Sequence, residues 1–139
     1  MSVTLEIEGL ARTQGIDLVG FADLRPVAAA ITEQGGEQLT RFPYAVSIGV
    51  RLLDAIVDAI LDTDNPAKVL TYHAEIYGVV NQILDQAAFR IGKLIQSQGF
   101  SAYAIPASQT LDQVKWQGLF SHKLQRPRRV SVGSDAIAY

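Results

Sequence analysis

The stretch YAVSIGV, residues 44–50, decides how the rest of the chain is read. Its side chains alternate in size: Tyr44, Val46, Ile48 and Val50 fall on one face, Ala45, Ser47 and Gly49 on the other. A period of two is the signature of a strand. The bulky face calls for a core. The small face would let a helix, a partner or a ligand come close. Directly afterwards LLDAIVDAILD (residues 52–62) changes to a helical period, with Ile56, Val57, Ile60 and Leu61 in one stripe, and DTDN ends it. Asn65-Pro66 then supplies a cap and a first helical residue. The helix they open is predicted over about 66–98, with Val69, Ile76, Val80, Ile83, Ala87, Ile91, Leu94 and Ile95 as its apolar stripe and Gly99 at its stop.

Working outward, IDLVGFADL (residues 16–24) reads as a second strand, with Gly20 marking a close backbone approach or a bulge. Before it, Val3 to Thr13 reads as a helix capped by Ser2 and stopped at Gly15, with Leu5, Leu10 and Ala11 on a shared side. Val27 to Glu33 forms a short helix after Pro26, broken at Gly35-Gly36. FSAYAI, residues 100–105, is a third strand, PASQ a turn, and LDQVKWQGLFSHK a loop anchored by Trp116 and Phe120. The predicted fold is an α/β domain of the α+β kind: a small, mostly antiparallel sheet packed by amphipathic helices. Three strands with open edges are marginal, so a further segment, chain or domain is expected to complete the sheet.

The bulk numbers restrict function. At 139 residues there is room for one domain. Hydrophobic residues make up 48 %, enough for a core. The chain has no cysteine, which excludes disulfides and any cysteine-ligated cluster or zinc within it, and fits a cytoplasmic location. The N-terminus lacks a basic n-region and a long apolar run, so it does not read as a signal peptide. Apolar runs are interrupted by charge well short of the roughly 20 residues of a membrane span. Net charge is −2, and residues 1–122 alone carry −5. Four of the twelve basic residues fall between Lys123 and Arg129, so the body is acidic and only the tail is basic. An acidic body argues against nucleic acid as a partner, although Arg126, Arg128 and Arg129 keep RNA as a weaker reading.

No motif for phosphate binding, metalloprotease, serine hydrolase or calcium chemistry occurs. His73 stands near Glu75 on the long helix. With no second ligand at helical spacing it reads first as an ordinary helix residue, and no metal site is expected. Ser121-His122-Lys123 gathers a hydroxyl, an imidazole and an ammonium, yet adjacent residues do not face one another. Anion or cofactor binding is their more plausible active role. Asp112 would act as a general acid if buried and otherwise as a turn acid or cap. Ser108 and Gln109 would hydrogen-bond a ligand or satisfy their own turn.

Four phrases in order carry a resemblance: GIDLVGFADLRP, FPYAVSIGVRL, YHAEIYGVVNQILDQAAFRIGKLIQSQGFSAYAIPASQ and LFSHK. Across residues 1–123 the chain resembles the N-terminal domain of epoxyqueuosine reductases and their iron–sulfur relatives. The resemblance implies a cytoplasmic reductase domain that helps bind a corrinoid, cobalamin in type. It also implies a following ferredoxin-like region with two four-iron clusters. It makes Asp112 a loose counterpart of the family's acidic residue. Ser108, Gln109, Ser121, His122 and Lys123 fall in its cofactor-binding stretch. The chain departs from the family in having no cysteine and no ferredoxin region. PASQ and FSHK resemble a sister branch, which points away from epoxyqueuosine itself as substrate. No tightly held cofactor is expected in this chain alone.

The family continues past this point with a loop resembling Gly-Leu-Gly-Trp-Ile-Gly. That loop is missing here, yet the genetic code preserves a trace of it. Read one frame over, the codon junctions from Arg129 to Asp135 are compatible with Gly, Leu, Gly, Trp, Ile and Gly in succession. Residues 1–123 are therefore expected to be the family-like domain, and 124–139 an irregular tail translated out of frame. A basic tail that folds on a partner is the competing reading. For the whole chain two readings stand: a reductase fragment inactive alone, and a non-catalytic module that dimerises through its unfinished sheet and apolar faces.

Overall fold

The computed structural model of the chain describes residues 2–35, 37–61, 64–107 and 134–138. Its elements in order are α1 (Val3–Thr13), β1 (Leu18–Asp23), a 3₁₀ turn (Arg25–Val27), α2 (Ala28–Gly35), α3 (Glu37–Thr40), β2 (Tyr44–Gly49) and α4 (Asp54–Ala59). They continue with α5 (Pro66–His73), a π-helical segment (Ala74–Val80), α6 (Asn81–Ser97), β3 (Tyr103–Ala104) and β4 (Ser134–Ala138). The fold is α+β: an antiparallel sheet packed by amphipathic helices, one of them running unbroken through residues 66–97.

The predicted helix stops are present, and for a physical reason. Gly15 and Gly99 adopt φ of +78° and +88°, a region other residues enter at a cost. At each, the glycine N–H bonds back to the carbonyl three residues earlier, and the next residue reaches the one five earlier: Ile16 to Ala11 and Phe100 to Ile95. These are Schellman closures. At the start of α5, the Asn65 side chain accepts the Ala67 N–H at 3.1 Å with Pro66 at the first turn, as predicted. Ser2 occupies the cap position of α1 but its side chain makes no capping bond.

β1 and β2 pair antiparallel, Leu18 opposite Gly49 through Asp23 opposite Tyr44. The Asp17 carboxylate accepts the Arg51 N–H at 2.7 Å and the Asp17 N–H donates to the Gly49 carbonyl at 3.0 Å, which locks the register just beyond the strands. The bulky face of β2 makes the core as predicted. Val46 and Ile48 are buried with Ile7 and Ala11 of α1 and with Val80, Leu84, Ala87, Ala88, Ile91 and Ile95 of the long helix. The α1 stripe is corrected: Ile7 and Ala11 carry the contact, while Leu5 points to solvent. Leu84 joins the stripe and Val69 leaves it, because α5 buries no residue.

The sheet has four strands in the order β1-β2-β4-β3, not three. β4 comes from the stretch expected to be irregular and inserts between β2 and β3, with Ala45 opposite Ala138 and Tyr103 opposite Ala138 on its other side. The expectation that another segment joins the sheet is met from within the chain, with β1 and β3 at its edges. Pairing across some ninety residues of sequence carries no local signature, so the tail's alternation went unread. Among the described residues the approach expected at Gly20 is absent: a Cβ placed there meets nothing within 4 Å. Helices cover the Val46/Ile48 face, and Gly20, Ala22 and Ser47 remain exposed on the other.

Candidate functional site

Six residues singled out in the sequence, Ser108, Gln109, Asp112, Ser121, His122 and Lys123, lie outside the described residues. Their point of departure is described. β3 leads through Ile105 and Pro106 to Ala107, which is buried. The Ala107 N–H donates to the Asp85 carboxylate of α6 at 2.7 Å, in a partly buried setting. A charged acceptor on a backbone N–H is among the stronger single hydrogen bonds. Asp85 therefore pins the chain to the long helix at the residue just before Ser108. Sequence reading passed over Asp85 because it sits among the polar positions of the helix and has no local partner.

His73 ends α5 exposed, its ring 4.7 Å from that of Tyr77 one turn on. It draws no carboxylate to itself, and among the described residues no group of three or more His, Asp or Glu side chains could hold a metal ion. The π-helical segment that follows places Ile76 and Val80 in the core stripe and is where the helix passes from its exposed end into the buried part.

A cleft of about 560 Å³ lies between the first turn of α1, the strand entry at residues 41–44 and the loop after α6. The local reasons for its shape are clear. Pro43 holds Phe42 out of helical conformation and starts β2, and the Gly99 closure turns the chain so that Phe100 and Ser101 face the same opening. Phe42 is buried as the floor and packs on Tyr103 with ring centroids 6.2 Å apart. Tyr44 and Phe100 are exposed at the sides, the latter by 57 %.

Two guanidinium groups sit by these rings and differ in their state. Arg25 lies 5.4 Å from the Tyr44 ring centroid and holds Asp23 in a two-pronged pair, with contacts of 2.9 and 2.6 Å. The hydrogen bonds from Arg25 pull the Asp23 carboxyl down to about 2 from an ordinary 3.8, and Asp23 pushes Arg25 up in turn. Arg41 lies 4.9 Å from the Phe42 centroid and has no ion pair among the described residues. The cleft thus combines an aromatic lining with a cation, Arg41, that no carboxylate among the described residues neutralises.

Among the described residues no helix is long and apolar enough to cross a membrane. The chain matches no protein-family model, no curated protein and no solved structure.

Proposed function

We propose that this chain is the N-terminal, non-electron-transferring domain of a cytoplasmic corrinoid-dependent reductase of the epoxyqueuosine reductase type. The resemblance over residues 1–123 is the origin of this reading. The observation that supports it is the anchoring of Ala107, the residue before the expected cofactor-binding stretch, by Asp85 of α6. Four-iron clusters do not fit this chain, because it has no thiolate to ligate them. A corrinoid fits better. Among the described residues Gly20, Ala22 and Ser47 are exposed and Ala45 half-buried on one sheet face, and such small side chains suit a large planar body. The cobalt centre of such a group supplies the redox chemistry when bound. The chain's own part is to offer the small-residue face and to fix Ala107 on α6. Without a cluster to deliver electrons, the domain binds but does not turn over.

Titration with hydroxocobalamin tests this. A red-shifted visible spectrum on binding is expected, weakened in Asp85→Ala, where the segment after Ala107 is released. An unchanged cobalamin spectrum at saturating protein overturns the reading.

The apolar side chains left exposed just after α4 and on α5 favour a second reading, a dimerising module. Leu61 is 83 % and Leu70 68 % exposed. Sizing at twice the monomer mass without ligand supports it, and a monomer at all concentrations rejects it.

A further inference from the structure

We propose that the cleft at the mouth of α1 is a second, separate ligand site, selective for small planar aromatic anions. Three observations converge on that chemistry. The first is size: about 560 Å³ falls within the range of small-molecule sites, and the opening lies between two loops and a helix end, not along an extended groove that would seat a peptide. The second is lining. Phe42 forms a buried floor, and Tyr44 and Phe100 stand exposed on the sides. Exposed aromatic rings beside a buried one gain most from a flat guest, which meets them face-on or edge-on with little loss of its own conformational freedom.

The third observation is charge. Arg25, next to the cleft, is neutralised by Asp23. Arg41, in its lining, is not paired with any carboxylate among the described residues and rests over the Phe42 ring. Arg41 is itself exposed, and a planar guanidinium stacked on a ring keeps a donor fork that matches a carboxylate in geometry. Ser101 at the rim adds a hydroxyl donor. An uncharged guest would leave Arg41 unanswered, and a flexible aliphatic acid would lose the aromatic walls. The two requirements together select an aromatic monocarboxylate. The site shares no residue with the small-residue sheet face, so it does not rest on the corrinoid reading.

Calorimetric titration of the full chain with naphthoate, its neutral analogue naphthylmethanol, and octanoate separates the terms. Naphthoate is expected to bind, and both others to bind more weakly by about tenfold or more, the cost of one missing charged hydrogen bond or of the lost stacking. Arg41→Gln is expected to bring naphthoate down to the level of naphthylmethanol. Ser101→Glu, an exposed change that leaves Arg41 in place, is expected to weaken naphthoate by repulsion while leaving naphthylmethanol unchanged. The proposal is overturned if naphthoate does not bind the native chain. It is also overturned if naphthylmethanol or octanoate binds as tightly as naphthoate, or if both variants bind naphthoate like the native chain.

Discussion

Asp23 and Arg25 form an exposed pair two residues apart at the end of the edge strand, with the Asp23 carboxylate also accepting the Arg25 backbone N–H at 3.0 Å. The carboxylate is stabilised in its charged form, so its folded pKa of about 2 lies below the unfolded value near 3.8. Stability linked to this group is present above the unfolded value and is lost as pH falls through that window toward 2. Because both side chains are exposed, water screens most of the interaction and the effect on folding is small. The titration itself is the better readout. Carboxyl carbon shifts of Asp23 followed by NMR are expected to show a midpoint near 2, moving back toward 3.8 in Arg25→Gln. A native midpoint at the ordinary value would contradict the pair. Neither this pair nor the Asp85–Ala107 bond was legible beforehand. Asp23 and Arg25 stand close in sequence, but which way each side chain turns depends on the strand ending there. Asp85 and Ala107 meet only because α6 runs back along β3.

At the scale of the element, the long helix carries the core. Leu84 and Ile91 are fully buried one face apart from Phe89, which is exposed. Leu84→Ala is expected to cost about 2–5 kcal/mol, through lost burial and the cavity left behind. Phe89→Ala is expected to change stability by about 0.5 kcal/mol or less. Urea denaturation of the two variants checks this, and equal losses would mean that the stripe is misassigned. Most of this helix could be read in advance. A run of apolar residues at spacings of three and four, an Asn-Pro start and a glycine stop are each local physics. The error lay at its ends. Val69 shares the spacing but not the burial, because periodicity says which residues share a side and not whether anything lies opposite. Leu5 in α1 is the same case: the helix was right and its inward side was set by where β2 lies.

For the whole molecule, the sheet depends on a strand drawn from the end of the chain. β4 pairs with the second edge of β2 and with one edge of β3. Deleting residues 134–139 is expected to expose the β2 edge, lower the thermal midpoint and promote self-association, since an unpaired edge invites another strand. Differential scanning together with light scattering would show it. An unchanged midpoint and an unchanged mass would mean that β4 adds nothing to the fold. The result is independent of how the tail arose in the gene, since backbone pairing asks little of side-chain identity.

Local chemistry determined the helices, their glycine closures, the alternation of β2 and the absence of any cysteine-held metal, because each follows from neighbouring residues or from composition alone. Tertiary structure decided the rest: which side of α1 faces inward, the place of β4 between β2 and β3, the Asp85 anchor, and the meeting of Arg41, Tyr44 and Phe100 around one cleft. These are contacts between residues far apart in the chain. A one-dimensional pattern encodes what each residue prefers, and only packing in three dimensions selects its partner.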